Sequence, residues 1–336
     1  MTASPDDPAL EKQYKYVKCQ FIGEGNKAFV KLNMLKADVL LSTTPGLDVY
    51  QWKRSPDVKY YVHVLHAPND VVAYRMFGLD YYDAVLVSGD YMINQLRELE
   101  AKRNLPAKEV KVIGLTYLDE MKKKLESSPI VPNHKTTVLL APSWGSSSIF
   151  NRFGDKIFDA LLKTGYKIIV RPHPQSYTSE KELIERLQAE YPDSETLQWN
   201  KDNDNFEVLK TSDILISDFS GVVFDFSLVF DKPVIYTDTV YDKSVYDACW
   251  LDEEMWTFDT LKKIGTKLTV DNLDNIKNVI DTCLNDDSFA QARENARNET
   301  WENRGNATTA TVDYLLEKYD ELKSVNETEK KDGDNK

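Results

Sequence analysis

The residue types best suited to chemistry cluster in Ile216-Ser217-Asp218-Phe219-Ser220-Gly221, with Asp225 a turn further on. The run Asp213-Ile214-Leu215-Ile216 leads into the cluster and reads as a buried parallel strand. Val222, Val223, Phe226 and Val229 then recur at helical spacing until Asp231-Lys232-Pro233 stops the run. The polar cluster therefore sits where a strand hands over to a helix, the edge at which open α/β sheets bind ligands. Backbone amides of Ser220 and Gly221 at a helix N-terminus would suit a phosphate. Ser and Asp are equally ordinary N-caps, and Gly lets helix and strand pack closely, so the hexapeptide alone fits either role. Asp225 is placed to orient an acceptor or to accept a ribose hydroxyl, although an acid in a first helical turn is also favoured by the dipole.

A second strand end lies upstream at Arg171-Pro172-His173-Pro174, after Tyr166-Lys167-Ile168-Ile169-Val170. The two prolines cannot continue a ladder and hold their neighbours extended, so Arg171 and His173 are fixed at that terminus. Arg171 offers a donor fork for phosphate, and His173 a donor that can also move a proton. One strand end with a cation and another with amides and hydroxyls point together to a phosphate site.

The other candidates are weaker. In Val62-His63-Val64-Leu65-His66-Ala67-Pro68-Asn69-Asp70, strand alternation puts His63 and His66 on opposite faces. His63 reads as a packed, hydrogen-bonded histidine. His66, at the strand end, is aimed into a cleft and suits a general base for a hydroxyl acceptor. Ser143 lies in Ala141-Pro142-Ser143-Trp144-Gly145-Ser146-Ser147-Ser148, a loop of small residues that admits a ligand closely or is simply solvated. Tyr236, Tyr241 and Tyr246 flank a loop that could line the same cleft. Gly23-Glu24-Gly25 lacks the third glycine of a dinucleotide fingerprint, and no Walker loop, Ser-His-Asp arrangement or zinc cluster is present.

These residues need a scaffold of alternating strands and helices, and the chain supplies one. Strands are predicted at 16–22, 39–43, 60–65, 84–88 and 110–114, and helices at 27–35, 71–77 and 91–103. Lys122 to Asn133 carries charges, serines and two prolines and reads as an interdomain connection. A second alternating series starts at Thr137 and runs through both motifs to Val234–Tyr236, with helices at Lys156–Lys163, Ile276–Leu284 and Ala307–Tyr319, the last two of which could close the second unit or pack back across the first. The expectation is an α/β protein of two doubly wound, Rossmann-like domains, at 13–125 and 134–324, facing each other across a cleft. Residues 1–12 and 325–336 read as frayed ends.

At 336 residues, two domains of ordinary size fit. Lys and Arg number 42 against 55 Asp and Glu, a net charge of −13 that disfavours nucleic acid as a partner. A phosphate-bearing substrate must then be drawn in by a local basic pocket. Three scattered cysteines, Cys19, Cys249 and Cys283, suggest a reducing compartment without disulfides. With a polar N-terminus and no bilayer-length apolar run, the sequence predicts a cytoplasmic protein. No carboxylate cluster suggests a metal, and no cofactor is expected.

Taken in order, His66-Ala67, Leu86-Val87-Ser88-Gly89, Ala141-Pro142-Ser143-Trp144, Arg171-Pro172-His173-Pro174, Ser217-Asp218-Phe219-Ser220-Gly221 with Asp225, and Arg304-Gly305-Asn306-Ala307-Thr308 resemble the CDP-glycerol glycerophosphotransferase family. These are teichoic-acid-type polymerases and primases with a GT-B fold. The resemblance covers most of the chain from about residue 60, and its second-half motifs are the more specific. It implies transfer of a polyol phosphate from a CDP-activated donor to a hydroxyl acceptor, lipid-linked in some settings, with release of CMP, at the inner face of the cell membrane.

By motif, His66 matches the family's first-domain catalytic histidine and His173 the second-domain histidine near the donor phosphates. Ser217, Asp218, Ser220 and Asp225 match its donor-site turn, and Arg171, Ser143 and Gly221 join them as donor-binding candidates. Two departures stand out. Ala67 occupies a position where glycine is common, and Gly145 one where arginine is common, leaving Arg152 as the candidate replacement. A UDP-sugar enzyme such as a 2-epimerase or glycosyltransferase, and a non-catalytic nucleotide or lipid-carrier binding partner, are the rival readings.

Overall fold

The computed structural model describes residues 1–129 and 134–333. Four parallel strands, β1 (Ala37–Ser42), β2 (Val58–Val64), β3 (Ala84–Val87) and β4 (Glu109–Val112), lie side by side in chain order. Helices α1 (Asn26–Asn33), α2 (Tyr91–Arg103) and α3 (Thr116–Glu126) belong to this first unit.

The second unit has six parallel strands: β5 (Thr137–Leu140), β6 (Lys167–Val170), β7 (Leu197–Trp199), β8 (Ile214–Ser217), β9 (Val234–Thr237) and β10 (Gly265–Leu268). Their order is β10-β9-β8-β5-β6-β7. Strand order reverses between β5 and β8, so the loops leaving their C-terminal ends open a crevice. The helices of this half are α4 (Ile149–Phe153), α5 (Lys156–Leu162), α6 (Ser176–Ser179), α7 (Lys181–Glu190), α8 (Phe206–Thr211), α9 (Val222–Phe224), α10 (Trp256–Ile264), α11 (Ile276–Leu284), α12 (Ala290–Thr300) and α13 (Ala307–Gly333). Two parallel α/β units meeting across a crevice is the GT-B plan, with the order reversal confined to the second sheet.

The central strands form because they are aliphatic on both faces. Every residue of β3, β5 and β8 is buried, as sheets covered by helices on both sides require. Val138, Leu140, Ile168, Ile214 and Ile216 pack on Ile157, Phe158 and Ile280 in a core private to the second unit. A larger apolar cluster runs through both units, joining Tyr61, Val85 and Leu96 to Phe224, Leu228 and Met255.

Polar contacts reinforce that junction. Asp70 of the first unit accepts the backbone N–H groups of Trp256 and Thr257 at 2.8 and 2.9 Å, capping α10 from outside its own chain segment. Arg103 bridges Asp80 at 2.8 Å and Asp247 at 2.9 Å, with all three side chains nearly or fully buried.

Four expectations need correcting. Residues 16–22 form no strand; Tyr16 and Val17 stand in water, at 86% and 61% exposure, with neither a pairing edge nor burial to support one. The helix expected over 71–77 shrinks to a 3-10 turn at Val71–Ala73, because the following residues pair across the junction, Arg75 with Tyr246. In the expected connection, α3 continues through Glu126, and residues 130–133 lie outside the described residues.

The last helix runs on through Gly333 instead of fraying; of the two seats the sequence leaves open, it takes the one across the first unit, with Tyr314 against Val62, Val64 and Leu86. Asp119 of α3 caps it, accepting the N–H groups of Gly305 and Ala307 at 2.7 and 3.0 Å. Among the described residues, no helix is long and apolar enough to cross a membrane.

Candidate active site

The crevice is built around Asp218. Its carboxylate accepts the backbone N–H groups of Ser143 at 2.9 Å, Ile149 at 3.1 Å and Ser220 at 3.2 Å. One side chain thus fixes the loop after β5 to the turn after β8. Burial pushes the Asp218 carboxyl up to about 6 despite these donors, which favour the anion. Beside it, Ser217 Oγ donates to the Ala141 carbonyl at 2.6 Å. Ser143, Ser217 and Asp218 are all buried, and none of them lines the cavity that opens above. They frame the site; they do not face its contents.

That cavity, about 690 Å³, lies between the units. His66, Ala67 and Asn69 enter it from the first unit, and Arg171, His173, Ser220, Gly221 and Asp225 from the second. Six of the nine sequence candidates therefore meet in one space. Pro172 is buried and Arg171 N–H donates to the Leu140 carbonyl at 2.8 Å, so the β6 terminus is anchored to β5. The Arg171 guanidinium hydrogen-bonds Asn200. His173 Nδ1 accepts the Gln175 N–H at 3.1 Å, which leaves Nε2–H as the donor of the neutral ring.

The two first-unit histidines part as alternation predicts. His63 is fully buried, with Nε2 3.1 Å from the Tyr74 hydroxyl, and burial pushes its pKa down to about 3. His66 is open to the cavity, yet the surrounding walls disfavour its cation and lower its pKa below the usual 6.5. Burial likewise lowers the His173 pKa, so both cavity imidazoles favour the neutral form.

Asp225 opens a π-helical turn, Asp225–Val229, where the sequence pattern predicts continuous α-helix. Such turns recur at functional sites because they re-aim a side chain. The Asp225 carboxyl is buried, which pushes it up to about 7, while a hydrogen bond from Asn205 works against that rise. Gly221 has a packing reason for its identity: a Cβ there would stand 2.9 Å from Asn69 Oδ1 of the facing unit.

Sequence reasoning missed Tyr117, Asn203, Asp204 and Asn205, all of which line the cavity. They sit on a helix start and an irregular loop with no motif of their own. Arg152 does not replace the arginine missing at Gly145; its guanidinium lies 3.4 Å from the Asp238 carboxylate, off the cavity. Tyr241 stacks on Tyr246 and meets Phe219 edge-on, in an aromatic cluster beside the turn, outside the cavity. The closing motif Arg304–Thr308 lies off this cavity and carries the amides that Asp119 caps. Gly89 also serves packing: a Cβ there would come within 1.8 Å of the Glu299 carbonyl oxygen.

Comparison with known proteins gives this geometry a lineage. Part of the chain is similar to the teichoic acid glycerol-phosphate primase of Bacillus spizizenii, with 32% identity over 129 residues, 37% of this chain and 30% of that protein. It is also similar to the minor teichoic acid biosynthesis protein GgaB of Bacillus subtilis, with 32% identity over 111 residues, 31% of this chain and 11% of that protein. The matched stretch thus spans less than a third of either relative. Among solved structures, a UDP-N-acetylglucosamine 2-epimerase from Rickettsia bellii superposes with a TM-score of 0.47 at 13% identity, covering 78% of this chain and 68% of that one. The family model for CDP-glycerol:poly(glycerophosphate) glycerophosphotransferases matches residues 80–316, which include Arg171, His173, the Asp218 turn and Asp225, and the chain belongs to that family.

Proposed function

We propose that this chain transfers a polyol phosphate, glycerol phosphate or a close analogue, from a CDP-activated donor to a hydroxyl acceptor during synthesis of a cell-surface polymer. The observation that carries the reading is His66 of one unit facing Arg171 and His173 of the other across a single cavity. Arg171 supplies fixed positive charge for the donor phosphates. His66, neutral at pH 7, takes the proton of the acceptor hydroxyl as its oxygen attacks the phosphorus of the polyol phosphate. The new P–O bond forms as the bond to CMP breaks, and CMP leaves with the electron pair. His173, with its Nε2 proton, hydrogen-bonds the departing phosphate and stabilises its charge.

Asp225 accepts a hydroxyl of donor or acceptor. Ser143, Ser217 and Asp218, expected as donor ligands, act on this reading by shaping the loops around the phosphates. The chemistry needs no metal, since cationic and N–H donors neutralise the phosphates. The setting fits the cytoplasmic face of a membrane, where a lipid-linked acceptor would be met.

The test offers CDP-glycerol, CDP-ribitol and UDP-sugars in turn, with and without chelator, and follows nucleotide release against added acceptor. Acceptor-dependent CMP release that survives chelation is expected. UDP release without acceptor would replace this reading with an epimerase.

A further inference from the structure

The Asn69 side chain lies at the seam between the units, against Gly221 of the opposite one. A Cβ on Gly221 would stand 2.9 Å from Asn69 Oδ1 and 3.6 Å from Nδ2, so the amide oxygen is the end pressed onto the glycine. That oxygen is buried and has no hydrogen-bond partner. Among the described residues Nδ2 has none either, and it is the end left open to the cavity that Asn69 lines.

Other polar groups around this cavity are already engaged. Arg171 bonds Asn200, His173 Nδ1 takes the Gln175 N–H, Asn205 accepts from Tyr117, and Asp204 accepts the Phe206 N–H. An amide at a cavity wall with its hydrogen-bonding capacity unspent costs stability, and such groups persist where a ligand completes them. Its neighbours hold the backbone on both sides. The Pro68 carbonyl accepts the Tyr91 hydroxyl at 3.3 Å, and Asp70 accepts the Trp256 and Thr257 N–H groups of the second unit. The donor is thus fixed before a ligand arrives, the condition under which a hydrogen bond to developing charge is most effective.

We propose that Asn69 Nδ2 donates to a non-bridging oxygen of the phosphoryl group in transit, and so stabilises its charge as the acceptor attacks and CMP leaves. The assignment rests on the transferase reading above. His66 stands on the same loop, three residues earlier, so the group that activates the acceptor and this amide share one wall. Arg171 and His173 hold the departing side from the other. An in-line displacement leaves the equatorial oxygens facing sideways, toward the seam where Asn69 sits. Turned round, the amide would set its oxygen against the phosphate oxygens, acceptor against acceptor. Gly221 is then glycine because a side chain there would push the amide off its seat.

The test follows CMP release from CDP-glycerol with a short poly(glycerophosphate) as acceptor, alongside CDP-glycerol binding by calorimetry. Asn69→Ala should lower kcat by roughly 10²–10³-fold, the worth of one such donor, with donor affinity within about threefold of wild type. Asn69→Asp, equal in size but without the donor, should lose as much kcat and weaken donor binding as well. Gly221→Ala should lower kcat in the same manner with Asn69 intact, and adding it to Asn69→Ala should cost nothing further. Wild-type kcat in Asn69→Ala, a loss confined to donor affinity, or additive losses in the double variant would overturn the assignment alone. A wild type that binds no CDP-glycerol would sink the transferase reading, and this assignment with it.

Discussion

The Asp70 carboxylate receives the Trp256 N–H at 2.8 Å, so a residue of the first unit provides the cap of a helix in the second. Thr257 adds its N–H at 2.9 Å, and Gln95 donates to the same carboxylate. Asp70→Ala would leave these buried donors without an acceptor. The unfolding free energy should fall by about 3 kcal/mol, and Asp70→Asn should cost less. Urea denaturation of the two variants measures both; equal stability in Asp70→Ala would show that the junction does not depend on this cap.

His66→Ala should lower kcat by roughly 10²–10⁴-fold while donor affinity stays close to wild type, the signature of a lost general base. In the wild type, the part of the acid fall in activity that His66→Ala removes should lie below the ordinary imidazole value of 6.5, because His66 is held below it. A pH–rate profile together with calorimetric donor binding checks both statements. Full turnover by His66→Ala on a working acceptor would remove this residue from the mechanism.

His63 predicts a stability effect instead. Its folded pKa, about 3, lies below that of an unfolded histidine, 6.5, so the unfolded chain takes up a proton in that window and the folded chain does not. The contribution is intact above pH 6.5 and is lost as the pH falls toward 3. Between pH 7 and pH 5 the loss should reach about 2 kcal/mol. Asp218 and Asp225, raised by burial, push the other way over part of this range. Subtracting His63→Phe from wild type at both pH values cancels their share, and the difference should change by that amount. A pH-independent difference would mean that His63 is not buried as a neutral ring.

Arg171→Ala should weaken donor binding by about 10–100-fold, the worth of a charge-assisted contact. Arg171→Lys should recover only part of it, since an ammonium cannot reproduce the planar fork. Donor titration followed by tryptophan fluorescence would report this, and complete recovery by lysine would show that charge alone matters.

Much of the scaffold was legible because burial on both faces leaves an unmistakable aliphatic run. Ile214–Ile216, Lys167–Val170 and Thr137–Leu140 all became strands, and Tyr91–Arg103 a helix. The strand-end positions of Arg171, His173 and Ser220 followed from prolines and glycine that permit little else. What stayed hidden depends on contacts distant in sequence. The segment after Ala73 abandons its helical pattern to pair with residues near Tyr246, and no local signal announces that partner.

The site divided in the same way. Asp218 carries the motif and sits beside the cavity, but its oxygens are spent on the amides of Ser143, Ile149 and Ser220. Residue type alone could not separate a ligand from a loop anchor. Tyr117 and Asn205 escaped notice because a lone tyrosine and a polar loop carry no spacing to read.

The seat of α13 on the first sheet has a consequence for the order of events during synthesis. Tyr314 completes the packing of Val62, Val64 and Leu86, and Asp119 waits for the amides of Gly305 and Ala307. A ribosome must therefore build the whole second unit before the first can close its outer face. The early strands spend that interval with aliphatic side chains uncovered, the condition under which nascent chains aggregate or recruit chaperones. Contacts that join residue 62 to residue 314 also close very long loops, which slows folding. A truncation that removes the final helix should thus yield a first unit that misfolds rather than one that merely lacks an ornament.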